Sequence, residues 1–368
     1  MQVEKIPQEF MVALPLLQQI RAAGFEAYFV GGSVRDTILG LPIHDVDIAT
    51  SAYPAEIKAI FERTVDTGIE HGTVMVLDHG EGYEITTFRT ESGYQDFRRP
   101  DKVEFVRSLK EDLKRRDLTI NALALAPDGT VIDMFSGLDD LENKTIRAVG
   151  DPTERFFEDA LRMMRTVRFA SQLDFKIEPQ TLQAIKANAH LLEKIAVERI
   201  QVEWIKLLLG KNVVQGLDAF LETKLYKYCP QFATREQALR KIAKLPQLKL
   251  ADELECWALL AYVFELTPKQ VRSFLKAWKT SNEISTEVQN VLAILEQATS
   301  DLDPLVCYHA KERATKAASH LLDILQLPLT GAKLLQTYTA LPIKDKAQLA
   351  LNGKDLLQTL GLKPGPGL

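Results

Sequence analysis

Two aspartates stand two residues apart in the run His44-Asp45-Val46-Asp47-Ile48. On a strand this spacing sends both carboxylates to one face, their Cα atoms ~6.5–7 Å apart, and turns Val46 and Ile48 to the core. Two hard oxygen ligands that close can share Mg²⁺, which takes few protein carboxylates and completes its shell with water and substrate phosphates. Alone, the pair reads equally as two solvated acids at a strand end. Its upstream context argues otherwise. The apolar run Ala27–Val30 leads into Gly31-Gly32-Ser33, and a helical pattern opens at Val34. Glycines let backbone N–H groups approach a phosphate, and a helix N-terminus adds the positive end of its dipole. Ser33 is placed to cap the helix or bond a phosphate oxygen, and Arg35 supplies a fixed cation one turn in. A phosphate loop beside an acid pair points to metal-assisted chemistry on a phosphorylated substrate. Glu84, in Tyr83–Phe88, is a candidate third carboxylate from a neighbouring strand, or else a surface residue.

Further along, Arg115-Arg116-Asp117 precedes Leu118-Thr119-Ile120-Asn121. Paired arginines suit triphosphate or sugar contacts, though they also read as a solvated charge cluster. Asp117 and Asn121, at i and i+4, share a face if the segment is helical and could hold a ribose hydroxyl. After Pro152 comes Glu158-Asp159-Ala160-Leu161-Arg162, with arginines repeated at 165 and 168. By pattern this is a salt-bridged helix face, with Asp159 and Arg162 as i, i+3 neighbours. A sharper reading follows from base chemistry. Cytosine and adenine each present an exocyclic amine donor beside a ring-nitrogen acceptor, while guanine and uracil reverse that order. A carboxylate beside a guanidinium complements the first pair and mispairs with the second, so Asp159 and Arg162 can admit C and A with no nucleic-acid template.

The elements that must position these groups fall into two kinds. Residues 8–22 carry helical apolar spacing stopped at Gly24, and short β-rich runs follow at 27–30, 46–49, 73–77, 83–88 and 102–106. The apolar run 120–126 ends at a Pro-Asp-Gly turn. A boundary falls near Gly150, where Asp151-Pro152-Thr153-Glu154 has the form of an N-cap, an N1 proline and a capping-box acid. From there to about residue 350 alternation nearly vanishes, and helical stretches are punctuated by Pro and Gly. The fold class expected is α+β, a mixed-sheet head followed by helices.

Composition sets the outer limits. The chain's 368 residues exceed one ordinary core, and 46% hydrophobic with 26% charged residues is globular. A net charge of −5 argues against wholesale nucleic-acid coating but permits a local basic track. Residues 235–250 offer one, with Arg235, Arg240, Lys241, Lys244 and Lys249 against Glu236. No apolar run is long enough to span a membrane, and the N-terminus lacks a signal peptide's apolar core. Three scattered cysteines fit a reducing cytosol, so a cytoplasmic location is expected. The six histidines form no hydrolase cluster, and there is no Walker A loop, nucleophile elbow or dinucleotide fingerprint.

Taken together, GGSVRD…HDVDIAT, YEITTFRTESGYQDFRRPDKVEFV, RRDLTINALA, DMFSGLDDLENKTIRAVGDP, EDALRMMRTVRFA and VERIQVEWIKLL resemble the class II tRNA nucleotidyltransferases, specifically the bacterial CCA-adding enzymes of the polymerase-β-like superfamily. The likeness covers residues ~25–210 closely and resumes weakly at LNGKDLL and PGPGL. It implies a seahorse-like order of nucleotidyltransferase head (1–149), neck (150–210), body (211–300) and tail (301–368). By the resemblance Asp45 and Asp47 bind Mg²⁺, and Gly32, Arg35 and Arg116 lie on the nucleotide. Asp159 and Arg162 select the base, and Arg165 and Arg168 hold the triphosphate or neighbouring groups. The implied activity is addition of C, C and A to tRNA lacking all or part of its 3′ CCA, from CTP and ATP, by a monomer or homodimer with no membrane partner. CC-adding enzymes, poly(A) polymerases and an inactive RNA-binding protein are the alternatives. CC-adding relatives lack a flexible loop between the carboxylate-bearing strands, and Arg89–Pro100 is expected to supply it here. Family chains run on past the PGP turn at which this sequence stops, so a shortened tail is expected.

Overall fold

The computed structural model describes residues 1–95, 97, 99–299, 301–351 and 353–360, in two compact units, Met1–Thr234 and Arg235–Leu368. In chain order the first unit holds α1 (Gln8–Ala22), β1 (Ala27–Val30), α2 (Gly32–Leu39), β2 (Asp47–Thr50), α3 (Pro54–Ile60) and β3 (Thr64–Gly68). It continues with β4 (Thr73–Asp78), β5 (Glu81–Thr87), β6 (Arg89–Gln95), β7 (Arg99–Phe105), α4 (Leu109–Lys114), β8 (Leu123–Leu125), β9 (Val131–Asp133) and α5 (Gly137–Glu142). Then come β10 (Thr145–Ile146), α6 (Pro152–Glu158), α7 (Leu161–Leu173), β11 (Lys176–Ile177), α8 (Pro179–Asn188), α9 (Val197–Leu208) and α10 (Val213–Glu222).

Seven strands form a mixed sheet in the order β3-β4-β5-β2-β1-β8-β9, in which only β2 and β5 run parallel. The interior strand β1 is buried on both faces. On one face Phe29, Ile48, Ile85 and Leu125 share a core with α1, where the Phe10 and Phe29 rings lie 4.4 Å apart. On the other, Tyr28, Val30, Ala49 and Ala124 pack with Leu109 and Leu113 of α4. The first core also takes in Phe169, Ala170 and Leu173 of α7, so the helical segment after Gly150 packs into the same interior as the sheet. Asp151 caps α6 through Thr153 N–H at 2.9 Å, as its sequence foretells. Close approach of α10 to α7 needs Gly216, where a Cβ would fall 2.6 Å from that of Ser171. Behind them Trp204 of α9 packs against Phe220 and Phe232.

Three local expectations are corrected. The segment Arg89–Pro100 is no irregular loop between the carboxylate strands. It follows both of them, and most of it pairs with the next segment as the antiparallel ladder β6–β7, in which Arg89 faces Phe105 and Tyr94 faces Pro100. The segment holding Asp117 and Asn121 is not an α-helix, because Leu118 bridges to Ala148 and only Thr119–Asn121 forms a 3₁₀ turn. Strand β2 begins at Asp47, which leaves Asp45 in the loop before it.

The second unit is helical, with α11 (Glu236–Ala243), α12 (Glu253–Val263), α13 (Pro268–Ala277), α14 (Asn282–Glu296), α15 (Pro304–Ile324), α16 (Gly331–Thr339) and α17 (Gly353–Leu360). Trp257 of α12 centres its core, with Trp278 and Phe274 at ring distances of 5.3 and 5.9 Å. α15 is broken at Lys311, whose φ of 65° lies in the left-handed region. The PGPGL end, 364–368, lies outside the described residues. Among the described residues no helix is long and apolar enough to cross a membrane, and all three cysteines are buried and unpaired.

Candidate active site

Strand register brings the glycine turn to the acids. Val30, the last residue of β1, lies opposite Asp47, the first of β2, so the chain turns at Gly31 directly beside that carboxylate. Gly31 has φ +80°, which only glycine adopts without strain, and a Cβ there would sit 3.5 Å from Asp47 Oδ2 and 3.9 Å from Arg116 Nη1. α2 starts at Gly32 rather than Val34, with no side-chain cap at its N-terminus. Ser33 does not serve as the cap. It is buried, and its hydroxyl donates back to the Val30 carbonyl at 3.4 Å.

On the other side of β2, the pairing of Ile48 with Ile85 sets Glu84 next to Asp47. Asp45, Asp47 and Glu84 all keep solvent access. Desolvation raises the pKa of Asp47; the Arg116 cation lowers it, and the Glu84 and Asp45 carboxylates raise it again. Mutual repulsion among acids beside a glycine turn is what a bound divalent cation relieves, so the donor set fits such an ion. Among the described residues no three His, Cys, Asp or Glu side chains are grouped to hold a metal.

A cleft of about 490 Å³ opens from these acids, within the range of small-molecule sites. Gly31, Gly32 and Asp47 line one end, and seven arginines (35, 115, 116, 162, 165, 168 and 199) meet only three aspartates (47, 117 and 159) around its wall. The arginines are held in place. Buried Asp112 takes Arg115 and Arg116 at 3.0 and 3.1 Å. Arg35 donates to Asn121 Oδ1 at 2.6 Å, and Arg165 to Asp117 Oδ2 at 2.6 Å. Arg168 donates to Glu203 Oε2 of α9 at 2.6 Å. The Phe169 ring carries the guanidiniums of Arg168, Arg35 and Arg165 at 3.8, 4.9 and 5.5 Å, a cation–π cluster that keeps three like charges together. At Asp117 burial works to raise the pKa, and Arg165 and Arg162 overcome it, holding the carboxyl well below the usual range. Asp117 still meets Asn121, at 3.4 Å, although no helix joins them.

Asp159 and Arg162 both line the cleft but do not pair with each other. α6 ends at Asp159, whose φ of −149° is extended, and α7 begins after it, so the i, i+3 helical face expected from sequence does not exist. Asp159 binds Arg199 of α9, with Oδ2 at 2.8 Å from Nη2, and accepts from Leu161 N–H. Arg162 binds Glu158 and donates to the Arg115 carbonyl at 3.0 Å. Arg199, Glu203, Glu158 and Phe169 are the site residues that the sequence reading passed over. Arg199 and Glu203 stand at i and i+4 in VERIQVEW among apolar neighbours, a charge pair on an otherwise buried helix face that marks a polar contact.

A second cleft, about 510 Å³, shares Gly32, Arg35, Asp47 and Arg168 with the first and adds Asp45, His44, Gln172, Lys206 and Lys211. Asp47 thus stands on the wall between two openings.

Comparison with known proteins agrees along the whole chain. Family models match as the poly(A) polymerase head domain over residues 27–147, the probable RNA- and SrmB-binding site of polymerase A over 174–235, and a putative tRNA nucleotidyltransferase domain 2 over 248–368. The chain is 61% identical to the CCA-adding enzyme of Ligilactobacillus salivarius, across 99% of this chain and 90% of that one. It is 57% identical to that of Enterococcus faecalis, across 88% and 80%. The crystal structure of the Bacillus stearothermophilus CCA-adding enzyme in complex with CTP superposes with a TM-score of 0.89 at 42% identity, covering 98% of this chain and 90% of that one. An α+β head whose sheet register sets an acid pair beside a glycine turn, an arginine-walled cleft and full-length likeness of this strength have one explanation: the chain belongs to the family of CCA-adding enzymes.

Proposed function

We propose that this protein adds C, C and A, without a template, to the 3′ end of tRNA from CTP and ATP, releasing pyrophosphate. The observation that carries the reading is the cleft itself, in which Asp47, an excess of four arginines and the Asp159/Arg162 positions surround one volume. We assign the triphosphate to Gly32, Arg35, Arg116, Arg165 and Arg168; acid partners (Asp36, Asp112, Asp117 and Glu203) hold the four guanidiniums in place on the cleft wall. Asn121 and the remaining lone pair of Asp117 Oδ2 suit a ribose hydroxyl. The acceptor's terminal ribose approaches through the second cleft, past Lys206 and Lys211, so that its 3′ oxygen meets the α-phosphorus beside Asp47. The new P–O bond forms there as the bond to pyrophosphate breaks.

Nucleotidyl transfer in this family depends on a divalent metal, and we assign Mg²⁺ to Asp45 and Asp47. One ion held there would supply a lowered pKa for the attacking hydroxyl, and a second would supply charge stabilisation for the leaving pyrophosphate. Glu84, beside Asp47, is assigned as the third carboxylate of the catalytic group. With tRNA as its substrate, the protein is assigned to the cytoplasm.

Base choice falls to Asp159 and Arg162. Asp159 accepts from the exocyclic amine of C or A. Arg162, whose Nε–H meets no acceptor among the described residues, donates to the ring nitrogen. Single-nucleotide incorporation with all four triphosphates tests this. Arg162→Ala and Asp159→Ala should bring UTP and GTP closer to CTP by about ten- to a hundredfold, since each bidentate pairing is worth ~1–3 kcal/mol of discrimination. Unchanged preference for C and A would return both residues to a structural role.

A further inference from the structure

We propose that the cleft at the corner between α13 and α14 is a binding site for the phosphate backbone of the tRNA, an inference that rests on the function proposed above. The cleft is about 610 Å³ and is lined by Arg272, Lys276 and Lys279 with Thr280, Ser281 and Asn282, and no acid borders it. Arg272 and Lys276 lie four residues apart on α13, and Lys269, three residues before Arg272, continues the same exposed face. The opposite face is fixed, since Val271, Phe274 and Leu275 are fully buried and Phe274 packs on Trp257. None of the four cations forms an ion pair among the described residues. Glu283, the acid that follows them in the chain, is engaged by Arg313 at 3.3 Å.

Three unneutralised cations beside hydroxyl and amide donors, on a rigid corner, match the spaced charges and many acceptor oxygens of an RNA backbone. The N-terminus of α14, capped by Ser281 on Ile284 N–H, opens at the same place and adds its dipole. The basic run 235–250 lacks this character. There Arg240 is paired with Glu236 at 2.7 Å, and Arg235 lies on the Phe264 ring with its Nη1 near that residue's carbonyl. Lys241 borders a different groove, which also holds Glu265 and Glu296.

The test uses the full chain and a tRNA transcript ending before its CCA. Replacing two phosphate-binding cations, Arg272→Gln with Lys276→Gln, should raise KM for tRNA about tenfold at low salt and flatten the plot of log affinity against log salt by about 2. The kcat at saturating tRNA and the affinity for CTP should hold. The Lys241→Gln/Lys244→Gln pair should move the salt slope less. In the unaltered protein, tRNA should protect Lys276 and Lys279 from acetylation, a measurement that needs no variant to fold. Unchanged KM and salt slope in a variant that still adds C, C and A would overturn the site. Protection by inorganic phosphate alone, equal to that by tRNA at matched ionic strength, would overturn it as well. If the unaltered protein added nothing to tRNA, the proposed function would be what failed.

Discussion

Burial alone would push the Asp117 carboxyl's pKa up. Arg165 and Arg162 reverse that, so its ionised form contributes to folding. A depressed folded-state pKa gives stability that is complete above the unfolded-state value of about 4 and is lost as pH falls below it. Asp117→Asn should therefore cost ~2 kcal/mol at pH 7, less than a wholly buried pair because Arg165 keeps a third of its surface in solvent. Chemical denaturation at successive pH values should show the gap between wild type and variant closing below about pH 4. A gap that persists unchanged to pH 3 would mean that charge pairing is not what Asp117 supplies. At this scale the sequence was informative about residue type and less so about partners. The meeting of the glycine turn with Asp47 was legible because loop and acids lie close in the chain, whereas Arg116 joins them only through the fold. The true partners of Asp159 and Arg162 were not legible, because Glu158-Asp159-Ala160 carries no glycine or proline to announce that one helix stops and another starts.

That junction is also where the β6–β7 ladder docks. Ala160 N–H donates to the Phe97 carbonyl at 2.7 Å, and the Phe97 ring lies 5.4 Å from that of Phe157. Ala160 has φ −64° and Asp159 before it is extended, so proline fits the backbone at position 160 while removing the one donor and pressing its ring on the carbonyl. Ala160→Pro should leave the chain folded and speed cleavage within residues 89–105 several-fold in limited proteolysis, with cleavage elsewhere unchanged. Equal cleavage rates would show that this hydrogen bond does not hold the ladder. Sequence reading missed β6 and β3 for the same physical reason. RTESGYQ and TVDTG carry no alternation of apolar residues, since β6 pairs only with β7 and β3 is a largely exposed sheet edge. β1, buried on both sides, and β4 and β5, with their apolar residues turned inward, were read close to their true limits.

Across the whole molecule the net charge of −5 divides unevenly. Residues 235–368 carry seventeen lysines and arginines against fourteen acids, so the first unit bears all of the negative excess and the second is positive. A polyanion responds to where charge lies rather than to its total; here arginines held by acid partners gather around the first unit's cleft, and cations without ion pairs among the described residues gather on the α13 face. The composition did not reveal this, because the arginines of the cleft are spread over four segments that only folding assembles. The central claim is that one cleft selects C, then C, then A. A tRNA transcript lacking its CCA, incubated with CTP alone, ATP alone or both and resolved at single-nucleotide length, tests it most directly. The account predicts two added residues with CTP alone, none with ATP alone on the unextended end, and three with both. Extension by ATP alone, or a stop at two residues when both are present, would contradict it.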